Sequence, residues 1–106
     1  MLSLNEYQAA ARKTAIYPMH SAIVYPALGL ASEAGEVAGK IKKVIRDGFR
    51  PDSNEKIIAE LGDVLWYLAV LADDLGVTLE TVALNNIAKL AARKSTGTLG
   101  GSGDNR

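Results

Sequence analysis

One stretch of this chain, residues 55–75, constrains the fold more than any other. When its apolar residues are placed on a helix at about 100° per residue, they surround the axis instead of forming one stripe. They are Ile57, Ile58, Leu61, Val64, Leu65, Trp66, Leu68, Val70 and Leu71. Such a helix needs cover on more than one side, and a chain of 106 residues offers few neighbours. We therefore expect a helical protein whose copies assemble through helix packing.

The remaining periodicity is also helical. Apolar spacing predicts further helices over about 4–15, 27–47 and 78–94. Tyr17-Pro18 and Tyr25-Pro26 interrupt the pattern, because a residue before proline is pushed out of the α region. The sequence thus predicts an all-α, four-helix-bundle-like protomer over residues 1–94. Residues 95–106 form a glycine-rich C-terminal tail with no apolar periodicity.

Cap residues mark the ends of these helices. Ser3 or Asn5 is expected to cap the first helix, Asn54 or Ser53 the third and Thr78 the fourth. Gly48 and Gly76 follow the second and third helices, where glycine adopts the left-handed conformation readily.

Composition excludes several classes of function. The chain has no cysteine and one histidine, so disulfide scaffolds, cysteine-ligated zinc, thiol nucleophiles and three-histidine zinc sites are ruled out. Twelve basic and twelve acidic residues cancel, and this neutral charge argues against nucleic-acid binding. Neither a signal peptide nor a membrane-spanning segment is recognisable, so we expect a cytoplasmic protein without membrane contact.

Two acidic pairs stand inside the most apolar stretches. Glu33 and Glu36 form one pair, and Glu60 and Asp63 form the other. Spacing of i, i+3 places each pair on one helical face, so two facing helices can aim four carboxylates at one point. Unpaired burial of such charges would cost several kcal/mol, which favours a functional cluster. Carboxylate oxygens suit Mg²⁺, which usually shares its coordination with water and substrate phosphates.

Two further polar stripes are candidates for phosphate binding. One shares a face with the first acidic pair, and the other lies on the fourth helix. Lys40 and Lys43 continue the stripe of Glu33 and Glu36, as phosphate ligands or as solvated counter-charges. Asn86, Lys89 and Arg93 lie at i, i+3 and i+7, where the basic pair either binds phosphate or complements the helix dipole.

Tyr67 follows the second acidic pair by one helical turn. Its ring is either a contact for a metal-bound nucleotide or an ordinary core residue, since aromatic side chains at helical spacing usually pack.

These segments together resemble a known family. Glu-x-x-Glu at 33–36, followed after 23 residues by Glu-x-x-Asp at 60–63, is similar to the signature of the MazG-like all-α nucleoside triphosphate pyrophosphohydrolases. The segments 29–37, 60–67 and 86–93 also resemble that family, and residues 97–106 resemble the end of its small phage- and cassette-type members.

The resemblance implies hydrolysis of a (d)NTP between its α- and β-phosphates, giving (d)NMP and pyrophosphate, in nucleotide-pool house-cleaning. It implies that Mg²⁺, with Mn²⁺ as a substitute, is held by Glu33, Glu36, Glu60 and Asp63, and we nominate Glu36 as the general base. Asn86, Lys89 and Arg93 would meet the nucleotide. Family members assemble as homodimers or as homotetramers of paired dimers, which fits the apolar third helix.

Two alternatives remain open from the sequence. The first is a non-catalytic helical dimerisation module that retains the scaffold. The second is a phosphoribosyl-ATP pyrophosphohydrolase of the same superfamily. Release of pyrophosphate from a nucleoside triphosphate would exclude the inert module.

Overall fold

The computed structural model describes residues 1–101, which contain four α-helices and no strand. A 3₁₀ turn, Met19–Ser21, lies between the first two helices. The helices are α1 (Leu4–Arg12), α2 (Val24–Asp47), α3 (Ser53–Asp74) and α4 (Leu79–Thr96). The predicted all-α class is confirmed. Within the described range, no helix is long and apolar enough to cross a membrane.

The long helices α2 and α3 form an antiparallel hairpin that makes the most extensive packing in the protein. Residues early in α2 lie beside residues late in α3: Gly29 lies under the ring of Tyr67, while Glu33 lies near Glu60. The loop at 48–52 joins the two helices. This arrangement brings both acidic pairs onto facing helices, as the spacing predicted.

A buried glutamine connects the other helices to this hairpin. The Gln8 side-chain amide on α1 donates to the carbonyl oxygens of Ala69 at 3.2 Å and Val77 at 3.0 Å. Its oxygen accepts from the Leu79 amide at 3.0 Å, where α4 begins. Because every polar atom of this buried side chain finds a partner, Gln8 costs little to bury. It fixes α1 and the start of α4 against α3, around a small core of Ala11, Ala69, Val70 and Leu79.

Helix ends follow the predicted caps at most positions. Ser3 and Glu6 form a reciprocal capping box at α1, and Thr78 accepts from the Thr81 amide at α4. Gly76, with φ 78°, follows α3 in a Schellman arrangement: its amide bonds Asp73 and the Val77 amide bonds Ala72. Gly48 has φ 90° but an extended ψ of 161°, so it is not in the predicted left-handed conformation.

Other boundaries differ from the predictions. The residue at the N-cap of α3 is Asp52, whose side chain makes no capping bond, instead of Ser53 or Asn54. The first helix ends at Arg12, three residues early. Helix α2 begins at Val24 instead of Ala27, because Pro26 falls within its first turn, where no amide bond is needed. The proposed division at residue 94 remains a prediction: α4 continues to Thr96, and residues 102–106 lie outside the described part.

Helix α3 is only partly covered within one chain. Trp66, Leu68 and Leu71 are half-buried. Trp66 and Leu68 pack against the core that includes Ala11 of α1, and Trp66 also donates to Thr14 after that helix. The open stripe is instead Ile58, Leu61 and Leu65, with exposures of 63%, 50% and 37%.

Candidate metal and nucleotide site

Three of the four predicted carboxylates converge between α2 and α3. Ligand oxygens from Glu33, Glu60 and Asp63 all lie within 4.8 Å of one another. Glu60 and Asp63 stand one turn apart on α3, and Glu33 faces them from α2. The donor set is carboxylate oxygen alone, which a hard divalent cation prefers. The residues present therefore fit Mg²⁺ or Mn²⁺.

The electrostatics of the cluster support this assignment. Burial raises the pKa of Glu33, and a hydrogen bond with Glu60 and the negative charges of Asp63, Glu60 and Glu36 raise it further. Carboxylates held this close repel one another when all are ionised. A bound divalent cation would reverse that repulsion, because each ligand then faces positive charge.

Glu36 lies apart from the three converging carboxylates. Its side chain is exposed, and it is not a member of the group whose oxygens lie within 4.8 Å. It is near enough for its charge to raise the pKa of Glu33. Its roles as fourth ligand and as general base remain predictions.

An aromatic cleft of about 320 Å³ opens beside the carboxylates. Its lining residues are Thr14, Glu33, Asp63, Trp66 and Tyr67. The indole Nε1 of Trp66 donates to Thr14 Oγ1 at 2.8 Å, and the Trp66 ring meets Tyr67 edge-on at 4.9 Å. Tyr67 therefore lies next to two of the carboxylates, and its contact with a nucleotide remains a prediction.

Close packing explains how Tyr67 is held in this cleft. A Cβ atom on Gly29 would overlap the Tyr67 ring, so the absence of a side chain on α2 creates the space for it. Burial raises the pKa of Tyr67, and a hydrogen bond with Tyr25 and the charges of Tyr25, Glu33 and Asp63 add to the effect. The phenol is consequently neutral and able to donate a hydrogen bond at physiological pH.

Lys40 and Lys43 belong to a second cleft, of about 220 Å³, at the turn between α2 and α3. The other lining residues are Val44, Asp47, Gly48, Arg50, Asp52, Ser53 and Lys56. Lys40 follows Glu36 by one helical turn, and Lys56 precedes Glu60 by one turn. Cationic side chains from both helices thus collect one turn beyond the carboxylates.

Sequence reasoning did not single out Lys56 or Arg50. The i, i+4 spacing of Lys56 and Glu60 was an available signal, but the position of Arg50 depends on the conformation of the turn. Thr14 was also missed, because its place in the aromatic cleft follows from the path of the chain after α1.

The predicted residues of α4 do not line either cleft. Asn86 and Lys89 are exposed, whereas Arg93 is 7% exposed. Helix α4 packs on α1 and α3, near its own N-terminal end, and makes no comparable contact with α2. A substrate role for Asn86, Lys89 and Arg93 stays a prediction.

The helical hairpin and its carboxylates define an all-α protein with a candidate divalent-cation site. Residues 26–98 match the model of the MazG nucleotide pyrophosphohydrolase domain, and the chain belongs to that family. The predicted family membership is confirmed.

Two relatives extend the comparison. The chain is 46% identical to the Gene 37 protein of Mycobacterium phage L5 over 109 aligned positions, which cover 94% of this chain and 96% of that protein. It is 38% identical over 72 positions to the uncharacterized protein YvdC of Bacillus subtilis (strain 168), covering 60% and 68% of the two chains. No solved structure matches the chain.

Proposed function

We propose that this protein is a Mg²⁺-dependent nucleoside triphosphate pyrophosphohydrolase that converts a (d)NTP to the (d)NMP and pyrophosphate. The observation that carries the proposal is the convergence of Glu33, Glu60 and Asp63 beside an aromatic cleft, in a chain of the MazG family. A cytoplasmic role in cleaning nucleotide pools is consistent with this chemistry.

The carboxylates would have two roles, binding the metal ion and accepting a proton. Glu33, Glu60 and Asp63 would hold the cation, with Glu36 as a further ligand from the next turn of α2. When bound, Mg²⁺ would neutralise phosphate charge and lower the pKa of the attacking water. Mn²⁺ would substitute for Mg²⁺. Glu36 is the proposed general base, since a carboxylate outside the tightest cluster is free to accept the proton of that water.

The basic residues would bind the rest of the triphosphate. Lys40 and Lys43 are placed one and two turns beyond Glu36, which suits them to phosphates that extend from the metal along α2. Lys89 and Arg93 of α4 are the other proposed phosphate ligands, and Asn86 a nucleotide contact. Tyr67 would contact the nucleoside, because it lines the cleft beside Glu33 and Asp63.

Assembly is part of the proposal. A homodimer, or a tetramer of paired dimers, would cover the exposed stripe of Ile58, Leu61 and Leu65 on α3. No nucleic acid or membrane partner is proposed, since the net charge is zero.

The test compares two matched variants of α3. Glu60→Gln removes one charge from the cluster, whereas Glu55→Gln removes an exposed charge from the first turn of the same helix. We expect Glu60→Gln to abolish Mg²⁺-dependent release of pyrophosphate from a panel of NTPs and dNTPs while the helix content is unchanged. Glu55→Gln should keep the activity. Wild-type levels of pyrophosphate release by Glu60→Gln would refute the assigned site, and no release from any substrate by the wild type would favour the inert dimerisation module.

A further inference from the structure

A carboxylate at the far end of α3 collects three hydrogen bonds. Asp74 lies eleven residues beyond Asp63, about 16 Å along the helix, and its side chain is 7% exposed. It accepts from Arg12 Nη2 at 2.6 Å, from the Tyr17 hydroxyl at 2.6 Å and from the Ile23 amide at 2.9 Å. These bonds outweigh its burial and hold the pKa of Asp74 below the ordinary value. The donors are the last residue of α1 and two residues of the segment that joins it to α2.

The last of these donors belongs to a strained turn. Ile23 has φ 69° and ψ −55°, and the Val24 amide bonds the Ala22 carbonyl at 2.7 Å across it. This is a γ-turn of the rare positive-φ type, centred on a β-branched residue that disfavours it. Such conformations persist only where surrounding structure fixes them, and they concentrate at functional sites. Here the Ile23 amide is bound by Asp74, directly before α2 begins.

The fixed segment and the first turn of α2 carry two tyrosines, Tyr17 and Tyr25, which lead to Tyr67 on α3. The Tyr17 ring stacks on the Tyr25 ring at 4.8 Å and 20°, and Tyr25 lies 6.3 Å from Tyr67 at a tilt of 47°. We call Tyr17, Tyr25 and Tyr67 the tyrosine row. Its last member lines the cleft beside Glu33 and Asp63. Asp74 is therefore linked to the cleft through a continuous series of aromatic contacts, although it lies far from the carboxylates.

The two ends of the site differ in chemistry. The carboxylate cluster and the lysines at the α2–α3 turn suit a cation and phosphates. The tyrosine row leads from the cleft toward the open end of the α2–α3 hairpin, away from the lysines of the turn, and the cation over its Tyr17 ring, Arg12, is paired with Asp73 and Asp74. Aromatic rings stack on nucleobases with little dependence on sequence. A nucleotide whose phosphates lie at the carboxylates would thus direct its base toward the tyrosine row.

We propose that the tyrosine row is the nucleoside-binding wall of this site and that Asp74 is the residue that positions it. Asp74 touches neither substrate nor metal. It fixes Tyr17 and the strained turn at Ile23, and these place Tyr25 against Tyr67, the member of the row that lines the cleft. The inference rests on the proposed function and specifies which end of the substrate meets which end of the hairpin.

The test uses two Mg²⁺-loaded probes, one with a nucleoside and one without. A nonhydrolysable α,β-methylene nucleoside triphosphate carries a base, and inorganic tripolyphosphate does not. Affinity is measured by calorimetry and by the fluorescence of Trp66, the one tryptophan of the chain, which lies in the cleft. For Asp74→Asn we expect roughly fivefold or greater loss of affinity for the nucleotide analogue, the scale of one lost stacking contact. Affinity for tripolyphosphate should stay within about twofold, because Asp74 contacts no phosphate-binding residue.

The neighbouring aspartate supplies the matched control. Asp73 bonds Arg12 Nε at 2.5 Å but contacts neither Tyr17 nor Ile23, so Asp73→Asn should leave both affinities unchanged. Tyr25→Leu removes a ring of the row while leaving the bonds of Asp74 intact, and it should reproduce the selective loss. This second variant also decides the matter if Asp74→Asn fails to fold.

Three results would overturn the inference. Equal losses for both probes would make Asp74 and Tyr25 structural residues only, and unchanged affinity for the nucleotide analogue in Tyr25→Leu would remove the tyrosine row from the site. Wild-type protein that binds neither probe would overturn the proposed function as well, so the two failures are distinguishable.

Discussion

Glu33 is raised in pKa by the same neighbours that suit it to bind a cation. Burial raises its pKa, the closeness of Glu60 and Asp63 raises it further, and that closeness is what a shared divalent cation would need. A carboxyl group whose pKa is higher in the folded than in the unfolded state destabilises the folded protein when it is ionised. This destabilisation is complete at pH values above the folded-state pKa, and it disappears as the pH falls below the unfolded-state pKa. Metal-free protein should therefore carry unrelieved repulsion at neutral pH.

We predict that Glu33→Gln raises the melting temperature of metal-free protein at pH 7 and removes the stabilisation that Mg²⁺ or Mn²⁺ gives to the wild type. The gain should vanish in acid, where Glu33 of the wild type is protonated. Differential scanning calorimetry with and without chelator measures both effects. Glu36→Gln, outside the converging group, is the control and should stabilise less. A Glu33→Gln protein that melts lower without metal would contradict the repulsion described above.

Gly29 is the second residue with a specific consequence. We predict that Gly29→Ala displaces the Tyr67 ring, because the new Cβ would occupy its position, and that nucleotide affinity falls with it. The control is Gly39→Ala, on the same helix, where a Cβ meets nothing within 4 Å. That substitution should stabilise α2 by roughly 0.5–1 kcal/mol. Unfolding curves and calorimetric titration with a nucleotide analogue distinguish the two. If the two variants have the same stability and the same nucleotide affinity, the Tyr67 ring does not depend on the space at Gly29.

At the scale of whole helices, α1 depends on its N-terminal capping box. The Ser3 hydroxyl accepts from the Glu6 amide at 3.1 Å, and Glu6 accepts from the Ser3 amide at 2.9 Å. We predict that Ser3→Ala lowers the free energy of unfolding by about 1 kcal/mol. Ser32→Ala, at an exposed position inside α2, should change it little. Urea denaturation measures both values, and equal losses would show that the capping box contributes nothing particular.

Local chemistry explains why much of the secondary structure was predictable. Ser3, Thr78 and the Asp47–Gly48 boundary mark helix ends through interactions within a few residues, which a sequence displays directly. The γ-turn at Ile23 instead has its amide bound by Asp74, fifty-one residues away along the chain. The convergence of Glu33, Glu60 and Asp63 was predictable from helical spacing because both pairs lie on long, regular helices. The outward position of Glu36 and the place of Thr14 in the cleft follow from helix packing, which the spacing does not specify.

Many large apolar residues are exposed on the surface of the molecule. Besides Ile58, Leu61 and Leu65 on α3, large apolar residues are exposed on α2 and α4, among them Ile45 and Ile87. Exposed apolar residues that form a patch mark an interaction site, and Ile58, Leu61 and Leu65 share one face of α3. Burial of these helices against a second copy is the simplest cover for a chain of this size.

We predict an oligomer at micromolar concentration by light scattering, and dissociation or loss of folding in Ile58→Arg, because a charge at a covered apolar stripe is costly to bury. The control is Ile16→Arg in the segment after α1, where the side chain is 94% exposed and lies off the helical stripes. It should leave the mass unchanged. A stable wild-type monomer would contradict the predicted assembly.

We propose above all that the carboxylate cluster directs hydrolysis to the bond between the α- and β-phosphates. Phosphorus NMR of a reaction with Mg²⁺ and a nucleoside triphosphate identifies the products directly. We predict equimolar nucleoside monophosphate and pyrophosphate from the wild-type protein, and unchanged triphosphate with Glu60→Gln or with chelator. Nucleoside diphosphate and orthophosphate as the products, or cleavage that persists without the cluster and the metal, would contradict the claim.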